Sequence, residues 1–127
     1  MRDRIEENEF AYELGGALAA ISPEDPPRFM ARTPHGYYDT ALIRGELEKA
    51  GFSAVATGTR AQSSRAPSPR IAAAAYRQGT PLRNEIETRD AGKMDTAIEH
   101  AASAIAARHG KGEVVGKIQA HVISAVA

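Results

Sequence analysis

Apolar residues recur at helical spacing in the first 21 residues of the chain. Most lie three to five positions apart, and the larger ones are Ile5, Phe10, Leu14, Leu18 and Ile21. Glutamates occupy the other faces, so the pattern predicts an amphipathic helix over 5–21. Ser22 precedes a proline, and a residue in that position avoids the helical conformation, so we expect the helix to end there. Residues 23–36 contain four prolines and no periodicity, which predicts a loop.

Four more helices are predicted from apolar spacing and from residues that favour helix ends. We place them at 39–50, 68–79, 80–89 and 92–108. Asp39, Ser68 and Thr80 have side chains that accept hydrogen bonds from the unpaired N–H groups of a first helical turn. Gly51 and Gly110 are suited to the left-handed conformation that closes many helices.

Two segments have the composition of β-strands. Residues 52–60 alternate β-branched side chains, and residues 117–126 are β-prone and become apolar on both faces. The stretch 62–69 is rich in serine, arginine and proline, which predicts a connector, and 110–116 has the residues of a turn. The sequence therefore predicts an α+β fold with about five helices and two strands, in a single domain over 1–127.

Composition narrows the classes of function. The 127 residues suffice for one domain, and the 25 alanines leave few large side chains for a core, which favours either tight packing of helices or burial against a partner surface. Sixteen basic residues balance sixteen acidic ones, and this argues against nucleic acid as a partner. The sequence contains no cysteine, no long apolar run and no apolar signal-peptide core near Met1. We therefore expect a cytoplasmic protein that binds no membrane.

Sequence motifs with defined chemistry are absent. No glycine-rich phosphate loop or dinucleotide fingerprint occurs, and the four histidines lack the spacing of a metal site. No serine lies in a nucleophile elbow, although spacing alone leaves a triad of serine, histidine and aspartate open. The sequence therefore favours neither a nucleotide site nor a metal site.

Two clusters of polar and aromatic residues are candidate sites. Residues 32–39 bring an arginine, a histidine and two tyrosines onto a predicted loop, where His35 or a tyrosine would exchange a proton near neutral pH. Residues 77–85 surround a predicted corner between two helices, where Tyr76, Gln78 and Asn84 would face one cavity if the cluster is functional. Each cluster also has a structural explanation, because tyrosine rings pack under loops and Thr80 with its glycine and proline neighbours shapes the corner. The residue pattern alone leaves both explanations open.

Ordered segments along the chain resemble one enzyme family. The segments are DRIEENEF (3–10), PRFMARTPHGYYD (27–39), IRGELEKAGF (43–52), RAPSP (65–69), QGTPLRNEI (78–86) and GKIQAHVI (116–123). Together they look like the C-terminal half of class I S-adenosylmethionine-dependent methyltransferases of the ubiquinone-biosynthesis-like group. The resemblance covers nearly all of this chain and about half of the parent fold. It implies part of a Rossmann-like sheet, without the N-terminal half that binds the cofactor.

The resemblance implies roles for seven residues and a function for the chain. Four would lie on a substrate-side loop and three on helices that cap an acceptor pocket, namely Arg32, His35, Tyr37 and Tyr38, then Gln78, Thr80 and Arg83. The chain would be the substrate-binding and sheet-completing half of a methyltransferase for a small-molecule acceptor, inactive alone and with no cofactor site of its own. The alternative is a non-catalytic dimeric protein that binds a small ligand or serves as a scaffold.

The strand order of that family also implies how the strands pair. Its last two strands are antiparallel neighbours, and the final strand lies between the one matching 52–60 and one that would precede Met1. The edge formed by 118–126 would therefore lack a neighbour in this chain. Unpaired apolar edges favour association, so we expect a homodimer through 118–126.

Overall fold

Six helices and a two-stranded antiparallel sheet make up the described part of the chain. The computed structural model describes residues 1–90 and 94–127, and the side chains of these residues except at 77, 78, 90 and 94. After a short 3-10 turn, Ile5–Glu7, the elements are α1 (Glu9–Ile21), α2 (Phe29–Arg32), α3 (Thr40–Lys49), β1 (Ser53–Ala66), α4 (Pro69–Gly79), α5 (Leu82–Asp90), α6 (Met94–His109) and β2 (Val114–Val126). The predicted α+β class is confirmed, and so is the antiparallel pairing of the two strands.

Several helices start and end at the residues expected to cap them. Asp39 Oδ1 accepts hydrogen bonds from two backbone N–H groups of α3, at 2.9 and 3.2 Å, and Ser68 Oγ accepts one from α4 at 3.2 Å. Thr80 Oγ1 does the same for α5, also at 3.2 Å. Gly51 and Gly110 have φ values of 95° and 94°, a left-handed conformation that glycine adopts without steric cost. Local chemistry therefore accounts for these helix boundaries.

Both strands extend further than the sequence predicted. β1 continues to Ala66, so 62–66 of the expected connector belong to the sheet, and β2 begins at Val114, within the expected turn. Pairing is continuous in this region, from Gln62 opposite Ile118 to Ala66 opposite Val114. Serine and arginine are weak strand formers, and the backbone hydrogen bonds to β2 outweigh that preference.

A short helix, α2, interrupts the segment predicted as a loop. Met30 within it is 3% exposed and joins the hydrophobic core. One buried apolar residue among prolines and arginines creates no period, so the sequence carried no signal for this helix. α2 leads directly into the turn that carries His35 and Gly36.

The hydrophobic core lies mainly where α1, α4 and α6 pack together. The largest fully buried side chains are Leu18, Leu82, Ile105 and Val114. Alanines such as Ala11, Ala73 and Ala101 fill much of the space between the helices. Alanine side chains are small, so the stability of this core depends on a few large residues.

The first three residues pair with β2 on the side away from β1. Met1 N donates a hydrogen bond to His121 O at 3.0 Å, and His121 N donates to Met1 O at 2.7 Å. Asp3 N donates to Gln119 O at 3.0 Å. β2 thus lies between β1 and residues 1–3.

Side chains extend this cover along the β2 edge. Asn8 Oδ1 accepts a hydrogen bond from the backbone N–H of residue 119 at 3.1 Å, and Glu9 Oε1 accepts one from residue 117 at 2.8 Å. The expectation that 118–126 presents an edge without a neighbour is therefore wrong for the part from 118 to 121. Polar side chains near the N-terminus supply hydrogen bonds there that a neighbouring strand would otherwise form.

Successive residues of β2 direct their backbone N–H and C=O groups alternately toward β1 and away from it. Residues 119 and 121 direct their N–H and C=O groups toward the N-terminal residues, so 120 and 122 direct theirs toward β1. On the same edge, the N–H and C=O groups of Ile123 and Ala125 also point away from β1, at positions beyond the one that pairs with Met1. A homodimer through this edge, which stays a prediction, is therefore confined to about 122–126.

Candidate functional site

A cavity of about 520 Å³ lies where the sheet, the N-terminal residues and the end of α4 meet. Its walls include Arg2, Asn8, His35, Tyr76 and Thr80. Its floor is the sheet, because residues 60, 62 and 64 share one face of β1 and lie beside residues 118 and 120 of β2. We call it the His35 cavity.

The His35 cavity brings together one residue from each of the two predicted clusters. His35 comes from the cluster at 32–39 and Thr80 from the cluster at 77–85. Tyr76 joins them from one helical turn before Thr80. The sequence predicted the two clusters separately, and the structure shows that they share a cavity.

Two predicted arginines pair with carboxylates elsewhere. Arg32 forms an ion pair with Glu85 at 3.1 Å, and Arg83 forms one with Glu87 at 2.8 Å. The two arginine side chains are mostly exposed, so each pair contributes at most about 1 kcal/mol. Both contacts are surface ion pairs, and neither arginine lines the His35 cavity.

The two predicted tyrosines also have partners away from the cavity. The Tyr37 hydroxyl donates a hydrogen bond to a Glu46 carboxylate oxygen. The Arg4 guanidinium lies 5.6 Å from the centre of the Tyr38 ring, within the range of a cation–π contact. The side chain of Gln78, the remaining predicted residue, lies outside the described residues. Of the seven predicted residues, the structure therefore brings His35 and Thr80 to the cavity.

His35 is buried and held in one orientation. It is 3% exposed, and its Nδ1 lies 2.9 Å from the backbone carbonyl oxygen of Asp3. A carbonyl oxygen only accepts hydrogen bonds, so Nδ1 carries the proton and Nε2 is the acceptor nitrogen. Burial lowers the pKa of His35, and the charge of Arg2 lowers it further, against the opposing effects of the Asp3 carbonyl and carboxylate. His35 is therefore a neutral imidazole at neutral pH.

The turn that carries His35 requires glycine at position 36. A Cβ on Gly36 would overlap the backbone carbonyl of Arg32. We expect Gly36→Ala to lower the free energy of unfolding by about 1–2 kcal/mol in urea denaturation, because the backbone of the turn must move.

Gly45→Ala is the matched control for that variant. Apart from its chain neighbours and the backbone of its own helix, its Cβ would meet no atom within 4 Å, and Gly45 lies inside α3, where alanine is favoured. Stability should therefore rise by up to about 1 kcal/mol. Similar losses of stability in both variants would contradict the close approach at Gly36.

Tyr76 and Thr80 form the α4 side of the cavity. Thr80 Oγ1 donates to Tyr76 O at 2.6 Å and accepts from Leu82 N at 3.2 Å, so its hydroxyl joins α4 to α5. Burial raises the pKa of the Tyr76 phenol, although the charge of Arg2 acts in the opposite direction. Tyr76 is therefore uncharged at neutral pH, and its hydroxyl both donates and accepts hydrogen bonds.

A hydrogen-bond network that the sequence did not predict supports the cavity. Asp3 Oδ1 lies 3.1 Å from His121 Nε2, and His121 Nδ1 lies 3.0 Å from Thr59 Oγ1. The Gln119 side chain donates to Asp3 Oδ2 at 2.7 Å. The backbone carbonyl of the same Asp3 accepts the hydrogen bond of His35, so the network fixes the residue that orients the imidazole.

The Asp3 carboxyl is ionised at neutral pH. Burial by itself raises its pKa, but hydrogen bonds from the Gln119 side chain and from Arg4 N, together with the charge of His121, outweigh burial and lower the pKa below its usual value. The order Asp3, His121, Thr59 has the residue types of a catalytic triad. These three side chains do not line the His35 cavity, however, so their role there is to position backbone.

A second cavity, of about 490 Å³, lies between α1 and residues 26–31. Its lining is mostly apolar and includes Tyr12, Met30 and Leu82. No group of three histidine, aspartate or glutamate side chains in the described ranges is arranged to hold a metal ion. Within the same ranges, every helix is too short or too polar to cross a membrane.

The chain matches no known family, and no curated protein matches it. Its function must therefore be inferred from its residues and from the His35 cavity.

Proposed function

We propose that this chain is the acceptor-binding half of an S-adenosylmethionine-dependent methyltransferase that acts on a small molecule. The observation that carries the proposal is the His35 cavity. It joins residues from the two clusters that the family resemblance assigns to the substrate side. Its volume of about 520 Å³ lies within the range of small-molecule pockets.

The arrangement of the sheet also supports the proposal. In the resembling family, the final strand lies between its antiparallel neighbour and a strand that would precede Met1. Here β2 lies between β1 and residues 1–3, and both contacts are antiparallel. The outward groups of Ile123 and Ala125 lie where residues before Met1 would continue the second contact.

In the proposed reaction, an acceptor hydroxyl loses its proton as the new bond to carbon forms. S-adenosylmethionine, held by residues outside this chain, would supply an electrophilic methyl group, whose bond to the sulfonium sulfur breaks so that S-adenosylhomocysteine leaves as a neutral thioether. His35 Nε2 accepts the proton of the hydroxyl, because Nδ1 already carries a proton and donates it in a hydrogen bond to the Asp3 carbonyl. Tyr76 and Gln62, which line the same cavity, orient the acceptor by hydrogen bonds.

Methyl transfer tests the proposal directly. Where the adjacent reading frame encodes a glycine-rich, cofactor-binding half, that half is co-expressed with the chain, and transfer of labelled methyl groups to hydroxybenzoates is measured. We expect His35→Gln to lower kcat by about tenfold or more and to remove the acidic limb of the pH profile, because that limb reports protonation of His35. A complex that binds both ligands and transfers no methyl group would contradict the proposal.

Arg65→Gln is the control for this experiment. Arg65 lies on β1 but on the face away from the cavity, and its exposed side chain pairs with Glu113 at 3.2 Å. Its removal should leave kcat and the pH profile unchanged. A similar loss in both variants would mean that His35→Gln acts through general damage to the fold.

The chain alone should not bind S-adenosylmethionine. Its sequence has no glycine-rich loop after a strand and no acidic residue placed to bind a ribose. Calorimetric titration should therefore detect no stoichiometric binding tighter than about 100 µM, or roughly 5.5 kcal/mol. Tighter binding would show that this chain holds the cofactor half of the site.

A non-catalytic dimer that binds a small ligand is the second candidate function. The observation that favours it is the end of β2, at 122–126, which lies beyond the position that pairs with Met1. In this stretch Val122 and Val126 are 59% and 58% exposed. Two-fold pairing of this edge with its copy would extend the sheet across both chains. An upstream reading frame without a glycine-rich strand, loop and helix would favour this alternative.

Light scattering distinguishes a dimer of this kind. Ala125→Pro removes an outward N–H group and should weaken the dimer, whereas Val122→Pro removes an N–H that faces β1 and should weaken the fold itself. A wild-type chain that stays monomeric at high micromolar concentration would exclude the dimer.

A further inference from the structure

We infer that the His35 cavity binds an anionic group, a carboxylate or a phosphate, between Arg2 and Arg60. The inference deepens the proposed function, because it gives the acceptor a negative charge. It rests on that function only for the role of the bound molecule as a methyl acceptor, and the binding itself does not depend on it. The ligand class is a small organic anion with an apolar body.

The sheet places the two arginines on either side of one small residue. Arg60 of β1 lies opposite Ala120 of β2, and Arg2 lies opposite Ala120 from the other side. Directly opposed residues of antiparallel strands point to the same face of a sheet. Neighbouring strands are about 4.8 Å apart, so the two arginine Cα atoms are roughly 10 Å apart. An anion above the methyl group of Ala120 is within reach of both guanidinium groups.

The formal charges in the cavity lining are all positive. None of the described lining residues carries a carboxylate. Neither Arg2 nor Arg60 forms a salt bridge with another residue whose side chain the structure describes. Both side chains are exposed and belong to one face of the sheet, so an anion that reaches this face is attracted by both positive charges. Guanidinium groups also match the planar geometry of carboxylate and phosphate oxygens.

The charge of Arg2 acts on the ionisable groups around it. Burial is the main cause of the lowered pKa of His35 and of the raised pKa of Tyr76, and the charge of Arg2 adds to the first effect and opposes the second. Both side chains are uncharged at neutral pH, so the net charge of the cavity comes from the two arginines. An anionic ligand meets no opposing charge from its walls.

The rest of the lining favours an organic anion over an inorganic one. Ile118 and Ala120 form an apolar part of the floor, and the Tyr76 ring faces the cavity from α4. Ser64 and Gln62 add polar groups along β1. A ring or short aliphatic body fits against the apolar floor while its charged group lies between the arginines.

Binding of three probes to the full chain tests the inference. The probes are benzoate, phenyl phosphate and benzamide, which is a neutral isostere of benzoate, and amide chemical shifts report both the site and the Kd. We expect the anions to shift the signals of His35 and Thr80 and to bind about tenfold or more tightly than benzamide. Their affinity should fall as the ionic strength rises from about 0.01 to 0.15 M, because salt screens the charges. The anion with the lower Kd, benzoate or phenyl phosphate, shows whether the site prefers a carboxylate or a phosphate.

Charge-neutralising variants locate the site. Arg60→Gln and Arg2→Gln should each weaken benzoate binding by about tenfold or more. Arg65→Gln makes the same change of charge on the opposite face of β1 and should bind benzoate as the wild type does. Because Arg2 lies in the segment that covers β2, Arg60→Gln decides the outcome if Arg2→Gln does not fold.

The outcomes separate this inference from the proposed function. Equal affinities for benzamide and benzoate, or an unchanged affinity for benzoate in both Arg60→Gln and Arg2→Gln, would overturn the inference. Neither result would contradict the proposed acceptor site. No shift with any probe at millimolar concentration would also overturn it. Benzoate binding that depends on Arg60, in a co-expressed complex that transfers no methyl group, would support the anion site and overturn the methyltransferase.

Discussion

Leu18→Ala should lower the free energy of unfolding by about 3 kcal/mol, because it removes one of the few large side chains in an alanine-rich core. Leu18 is 2% exposed and lies in α1, which packs against α4 and α6. Alanine neighbours have no longer side chains that rotate to fill the space, so the cavity should persist. Urea denaturation should show a lower midpoint with an unchanged slope.

Leu42→Ala is the matched control, since it makes the same change on an exposed helix surface. Leu42 lies in α3 and is 51% exposed. Its loss should change the free energy of unfolding by less than about 0.5 kcal/mol. If Leu18→Ala lowered the free energy of unfolding no more than Leu42→Ala does, the result would contradict the packing of α1 in the core.

Asp3→Asn should lower the free energy of unfolding by about 2–3 kcal/mol at pH 7. The carboxylate accepts hydrogen bonds from the Gln119 side chain and Arg4 N, and it lies 3.1 Å from His121 Nε2. An amide has the same shape but turns an N–H group toward one of these donors, which leaves a buried donor unsatisfied. Glu48→Gln, at an exposed carboxylate of α3, should change stability by less than about 0.5 kcal/mol.

The effect of Asp3→Asn should depend on pH in a defined direction. The pKa of Asp3 is lowered in the folded state, so ionisation of Asp3 stabilises the wild type above the ordinary carboxyl pKa. This stability is lost as the pH falls below about 4 and through the folded pKa. The difference between wild type and variant should therefore shrink in acid. A difference that stays constant from neutral pH to acid would contradict an ionised Asp3.

His35 adds a second acid dependence that wild type and variant share. Its pKa is lowered in the folded state, so the unfolded chain binds a proton first as the pH falls. Stability should consequently decline below about pH 6.5, the ordinary pKa of histidine. The Asp3 carboxylate opposes the lowering of this pKa, so Asp3→Asn should lower it further, and the decline of stability below pH 6.5 should be slightly larger in the variant.

Local signals predicted most helices, while pairing over long distances formed the site. Asp39 and Thr80 cap helices where the sequence placed them, because a cap depends on residues a few positions away. Strand residues 62–66 and the network at Asp3 depend instead on β2, far along the chain. No spacing rule connects Asp3 with His121, so the support of the His35 cavity was invisible in the sequence.

The contact between residues 1–3 and β2 also orders events during protein synthesis. Met1 and His121 are 120 residues apart along the chain. Ribosomes add about 5–20 residues per second, so the two residues appear roughly 6–24 s apart. β1 ends at Ala66 and β2 begins at Val114, so β1 has no partner strand for roughly 2–10 s of that interval. The sheet and the His35 cavity therefore close last, and a ribosome that stalls before β2 would present an open strand edge to chaperones.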